Sequence, residues 1–211
     1  MNIVERIDRE IEKRSVLKHP FYQAWSNGEL SLDALRGYAK EYYHLVKHIP
    51  IMVEKIAAHV KSSDVEENLR DERDHVALWI RFAYALGISK EELEAYEPSS
   101  KVRSAVDSML RLMDDPIRGI AAMYAYEAEL PKVSMTKLDG LIKHYNLNSI
   151  DAIEYHRVHS MVDIKHAAVW RKLLNRLSDK EHEEAYNAAV ESLVAQNLLL
   201  DGVYERYIQC N

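Results

Sequence analysis

This 211-residue chain predicts an all-α fold, and two observations carry the prediction. Glycine and proline together supply 11 residues, about 5 % of the chain against about 12 % in average usage, too little turn material for a hairpin-rich β protein. Apolar residues recur at three- and four-residue intervals between capping residues, and strand-like alternation is hard to find. The length favours one domain over residues 1–211 with a substantial core, and no repeat, low-complexity run or linker divides it.

Taken in order, Ile3, Ile7 and Ile11 mark the inner face of a first helix that ends before His19-Pro20. Asn27-Gly28 makes a turn, and Ser31 caps a second helix from Leu32 to about Val60, kinked at Pro50. Ser63 with Glu66 forms a capping-box pattern for a third, which stops at Gly87. Ser89 with Glu92 repeats the box for a short helix ending at Glu97-Pro98. A long helix covers Lys101 to Met113, and Asp115-Pro116 opens the next, which runs to Pro131. Another follows to about Tyr145, Ser149 opens one reaching Leu177, and Ser178 with Glu181 caps the last, to about Tyr207. The expectation is a bundle of seven to nine helices.

Charge and composition narrow the function. A net charge of -6 leaves no basic stripe for a phosphate backbone, so nucleic acid is not expected as a partner. The N-terminal stretch is charged throughout and no run of about 18 apolar residues occurs, which disfavours secretion and membrane spanning. The only cysteine, Cys210, permits no intrachain disulfide and suits a reducing cytoplasm. At the chain terminus it is badly placed as a nucleophile, so a thiol-dependent hydrolase ranks last. Thirteen tyrosines against two phenylalanines is lopsided, because each buried hydroxyl wants a partner. Tyr42, Tyr43, Tyr84 and Tyr124 are expected to pack with a hydrogen-bonded tip.

The strongest local signal is HRVHSMVDIKHAAVW. At about 100° per residue, His156, His159, Asp163 and His166 share a helix face roughly 80° wide. Val162, Val169 and Trp170 lie on or beside it, so this face turns inward. A lone histidine there is ordinarily a satisfied core residue, but three imidazoles and a carboxylate need partners or a metal. Glu72 and His75 have the Glu-x-x-His spacing by which bundles project ligands to a dimetal pair, although so charged a segment is equally explained as a solvated face. Glu127 sits in the apolar run GIAAMYAYEAELP, where an unpaired carboxylate is hard to bury; Glu129 is expected to be exposed. Three carboxylates and three imidazoles from three helices suit iron or manganese, and two such ions would activate dioxygen.

The segments HPFYQAWSNGELSLDALRGYAKEYY, HVALWIRFAYALGISKEELEAYEPS, YAYEAELPKVSMTKLDGL and HSMVDIKH, in that order, resemble the heme-oxygenase-like dimetal oxidases. The likeness extends to the branch typified by the Chlamydia protein associating with death domains, related in turn to the pyrroloquinoline-quinone synthesis protein and TenA-like folds. The resemblance implies a heme-oxygenase-like bundle with two metal ions, Fe/Fe or Mn/Fe, held by His159, Asp163, His166 and Glu127 and by His75 with a carboxylate of the earlier helix. That carboxylate is taken as Glu72, with Glu66, Glu67 and Asp71 as alternatives, because the usual spacing to the histidine is four residues longer. It further implies formation of para-aminobenzoate for folate from a tyrosine of the chain itself: Tyr22 as the consumed ring, Tyr126 as a second tyrosine near the metals, and Lys137 as amino donor. On the residues alone, Tyr22 packs with Phe21 and Trp25, and Lys137 is a solvated helix lysine. A homodimer is expected from the resemblance. Two other functions compete: a dimetal oxidase acting on an external amino acid or fatty acid, and a metal-free module that binds a partner.

Overall fold

The structure is a computed structural model, and it describes residues 1–209; the expectation placed on Cys210 lies outside the described residues. The described residues form eleven α-helical segments: α1 (Ile3–Lys13), α2 (Pro20–Asn27), α3 (Leu32–Val46), α4 (Ile49–Ala57), α5 (Ser63–Ala85), α6 (Lys90–Ala95), α7 (Ser100–Leu112), α8 (Pro116–Glu127), α9 (Leu130–His144), α10 (Ile150–Leu174) and α11 (His182–Tyr204). No strand occurs among the described residues. Two junctions are breaks within single rods. At His48 and at Ala128–Glu129 the backbone stays right-handed helical, and Pro50 and Pro131 each stand in the first turn of the following segment. A proline there lacks the amide hydrogen and crowds the carbonyl four residues back, on Val46 and Glu127. Counted as rods, the described residues make nine helices, within the seven to nine expected from the sequence.

Local boundaries differ where a competing group caps the helix. Pro20–Asn27, treated in sequence only as the approach to a turn, is helical because Pro20 stands at its start and His19 Nδ1 accepts from the Phe21 amide. The Ser63–Glu66 box does not form: Ser62 is the N-cap of α5, with no side-chain bond. The Ser89–Glu92 box does form. Ser178 and Glu181 are hydrogen-bonded, but they close a turn ahead of α11 rather than capping it.

The core runs from Ile3 to Val203 through every long helix. α8 is its axis, with every residue from Gly119 to Glu127 buried, clasped by α10 and α11. α10 also packs on α5 and α9, so α5 and α8 both flank α10, and α2 lies against α9. Two glycines are required here. Gly28 ends α2 in the left-handed region (φ 71°), and a Cβ on Gly140 would stand 2.5 Å from Trp25 Nε1. No described helix is long and apolar enough to cross a membrane.

Buried and half-buried tyrosine hydroxyls largely bond one another or carboxylates: Tyr22 with Tyr38 (3.3 Å), Tyr42 with Tyr126 (3.3 Å), Tyr124 to the part-exposed Asp8 (2.6 Å) and Tyr96 to the wholly buried Glu41 (2.7 Å). Tyr84 is a correction: it is 72 % exposed, because its position on α5 faces away from the bundle.

Candidate metal centre

On α5, Asn68, Glu72, His75 and Trp79 form one buried stripe at helical spacing, while Glu66, Arg70, Arg73 and Asp74 face solvent. The charged segment is therefore two faces of one helix. α10 presents His156, His159, Asp163 and His166, all buried, and α8 ends on Glu127, 1 % exposed, just before its proline-induced break. Val162, expected inward, is only half-buried, whereas Val169 and Trp170 are buried.

Among the described residues, two groups of potential ligand atoms occur, the atoms of each within 4.8 Å of one another: Glu72 with His75 and His159, and Glu72 with Glu127 and His166. Glu72 belongs to both. Its Oε1 is 3.4 Å from His75 Nδ1 and 3.4 Å from His166 Nδ1, and Asp163 Oδ1 is 3.5 Å from the same His166 nitrogen. These are charge contacts, too long for good hydrogen bonds. Of the alternatives to Glu72, Glu66 is exposed, Glu67 pairs with Lys165, and Asp71 meets His166 from the outer side, Oδ2 to Nε2, at 3.1 Å.

The chemistry of this donor set fits a pair of cations. His75 Nδ1, His166 Nδ1, Glu127 Oε1 and both Asp163 oxygens are buried without a hydrogen-bond partner. So many unsatisfied polar atoms at one spot are rare in a folded core and costly unless a ligand satisfies them. Outer contacts orient the donors. His159 Nδ1 bonds the Tyr155 carbonyl (2.8 Å), which turns its other nitrogen toward Glu72 and His75, and Trp170 donates to Glu127 Oε2 at 2.6 Å. Asn68 also reaches Glu127 Oε2, at 3.5 Å.

The electrostatics reflect the crowding. Burial favours a neutral Glu72, yet its contacts with His166 and His75 hold it well below the usual carboxylate range. Burial pushes Glu127 well above that range, only partly opposed by His166. Burial alone would lower His166, but Asp163, Glu72 and Glu127 together lift it to about 11. His166 is thus held charged among these acidic groups, a place that a cation can take.

His156 stands apart from both ligand groups. It is wholly buried among Trp25, Trp79 and Phe82, with neither ring nitrogen paired, and burial drives it well toward the neutral form.

A second cluster adjoins this centre. Tyr22, Tyr42 and Tyr126 border a cavity of about 20 Å³ whose remaining walls are mostly aliphatic, including Leu45, Leu130 and Leu199. Lys137 is 1 % exposed, a correction to the solvated lysine expected from the residues alone. Its Nζ donates to Tyr38 (3.1 Å) and stands 5.1–5.7 Å from the ring centres of Tyr22, Tyr38 and Tyr42. Burial pushes the amine down to about 7. Glu129, expected to be exposed, is half-buried and accepts from Ser15 Oγ and the Val16 amide. Sequence reasoning passed over Asn68, Asp71 as a partner of His166, Tyr38 and Tyr155, whose ring stacks on His159 at 4.0 Å. Only Asn68 carried a sequence signal, four residues before Glu72 on the same stripe.

Comparison with known proteins agrees with this architecture. Relatives called 4-aminobenzoate synthase include one from Chlamydia muridarum, 35 % identical and covering 100 % of this chain and 94 % of that protein. One from Nitrosomonas europaea is 29 % identical over 96 % of this chain and 91 % of that protein. Among solved structures, a domain of unknown function with a heme oxygenase-like fold from Shewanella denitrificans superposes with a TM-score of 0.83 at 17 % identity, covering 98 % of this chain and 94 % of that one. Residues 8–205 match the TENA/THI-4/PQQC family, and the chain belongs to that family.

Proposed function

We propose that this protein makes 4-aminobenzoate from the ring of its own Tyr22, with two iron or manganese ions and dioxygen as the oxidising system. The observation that carries the reading is the size of the space beside Tyr22. About 20 Å³ admits one water-sized molecule, whereas a free amino acid or fatty acid needs several times more. A ring to be oxidised there is best supplied by the chain itself. The full-length likeness to 4-aminobenzoate synthases supports the product.

In this reading Glu72, His75, His159, Glu127 and His166 would hold the two ions, joined by Asp163, which lies outside both ligand groups but brings its unpaired oxygens beside His166. When bound, such ions supply electrons to dioxygen and an oxidant beside a phenol. The chain's residues do the rest. α2 fixes Tyr22 through its packing on Phe21 and Trp25, so the ring is held in place rather than captured from solution. Burial keeps the Tyr22 phenol protonated, well above its usual range, and Tyr38 bridges its hydroxyl to the Lys137 amine. Lys137 is close to half deprotonated at neutral pH, which leaves a nucleophilic amine for nitrogen transfer. Tyr126, one residue before Glu127, bonds Tyr42 across the cavity and links the phenol cluster to the ligand helix. Two copies of the chain are expected to associate as a homodimer.

The test uses protein grown with ring-labelled tyrosine, loaded with iron under nitrogen and exposed to air. Labelled 4-aminobenzoate should form in at most about one equivalent per chain, with a matching mass loss in the peptide carrying Tyr22. Tyr22→Phe should form none. Product from Tyr22→Phe at the unmodified rate would move the ring source outside the protein and favour an oxidase of an external substrate.

A further inference from the structure

A centre buried between three helices needs a way in for its ions. Among the described cavities, that beside Tyr22 is walled largely by aliphatic side chains and offers a hydrated cation little to exchange for its water. The large surface groove between α1 and α11 sets Lys13, Arg14 and Lys18 against a single carboxylate, Asp201, and its net positive charge disfavours one. A third, of about 240 Å³, lies between α5 and α10, and its three carboxylates, Asp64, Glu67 and Asp71, outnumber its two lysines, Lys165 and Lys172. Its mouth carries Asp64 and Glu67, its floor Asp71 and His166, and its inner end Asn68.

We propose that this cleft is the port through which divalent cations reach the centre, with Asp71 and Asn68 as a transient binding site on the way. The inference rests on the two-cation reading above. Three features carry it. Asn68 is 1 % exposed and lines the cleft with its Oδ1 unpaired, while its amide nitrogen reaches Glu127, so an oxygen ligand waits one side chain away from the centre. Asp71 is half-buried, grips His166 Nε2 at 3.1 Å, and is the chain neighbour of Glu72, which both ligand groups share. A cation held by Asp71 therefore has its next ligands immediately inward. At the mouth, Lys165 bonds Glu67 (2.5 Å) and Lys172 bonds Asp64 (3.0 Å), each pair tying α10 to α5 across the opening. All four side chains are 42–63 % exposed, so the pairs are weak and open readily. The lysines act as resident cations that an arriving metal ion displaces.

Metal-free protein is mixed with Co²⁺ under nitrogen, uptake is followed by the growth of visible cobalt absorption in a stopped-flow instrument, and bound metal is counted after desalting. Two ions per chain are expected in every variant, with only the rate changing. Ala168→Trp, at an exposed position on the cleft wall, should slow uptake at least tenfold by filling the opening. Asp64→Asn with Glu67→Gln should slow it about tenfold at low salt and flatten its dependence on ionic strength. Lys165→Met with Lys172→Met should speed it. Unchanged rates in all three variants would overturn the port. So would a lower final count, which would make these residues part of the permanent shell. A wild-type protein that binds no cobalt would instead refute the two-cation reading itself.

Discussion

Lys137 gives the sharpest physical test of the phenol cluster. Its amine is 1 % exposed and pushed by burial from 10.5 down to about 7. At about 1.36 kcal/mol per pKa unit, charging it in the folded state is disfavoured by on the order of 5 kcal/mol relative to the unfolded chain. The sign of the pH dependence follows. Below pH 7 both states hold the proton and the folded state carries the whole penalty. Between 7 and 10.5 the unfolded chain binds more protons than the folded one, so stability rises with pH, and above 10.5 the penalty is gone. Replacing the lysine by methionine keeps the length and removes the charge. Urea unfolding of metal-free wild type and Lys137→Met, followed by the fluorescence of the buried Trp25, Trp79 and Trp170, isolates the effect. Wild type should gain about 3 kcal/mol on the variant between pH 7 and 9.5, the part of the penalty released over that window. A constant difference between the two proteins would mean that Lys137 titrates as in water, and the case for a nucleophilic amine at neutral pH would fall with it.

Two further outcomes are expected. Trp170→Phe removes the 2.6 Å hydrogen bond that fixes Glu127 and should weaken cation binding roughly ten- to a hundredfold in calorimetric titration; unchanged affinity would mean that Glu127 needs no such support. Gly140→Ala should destabilise by about 1–3 kcal/mol, although alanine ordinarily improves a helix interior, because the new methyl meets the rigid, buried Trp25 ring; a more stable variant would show that the ring has room to move.

The periodic signals that set the helical rods were local, and so they could be read from the sequence. Ile3, Ile7 and Ile11, the Ser89–Glu92 box and Asp115-Pro116 act within a turn or two of themselves, and the structure keeps them. The inward face of His159, Asp163 and His166 was legible for the same reason: residues three and four apart on a helix share a side whatever it packs against. The chain alone left open which carboxylate of α5 lies nearest those histidines. Glu66, Glu67, Asp71 and Glu72 differ only by rotation about one helix, and it is the approach of α10 and α8 that buries Glu72 and leaves Asp71 at the surface cleft. Lys137 escaped for a related reason. Its neighbours in sequence are those of any exposed helical lysine, and its burial comes from Trp25, Tyr38 and Tyr42, about a hundred residues away along the chain. Local periodicity therefore determined the helices and their inward faces, while the meeting of distant helices decided which charged groups would share one water-free space. Those distant meetings shift the acids and bases of the centre, because desolvation and charge pairing act through space and carry no mark in the order of residues.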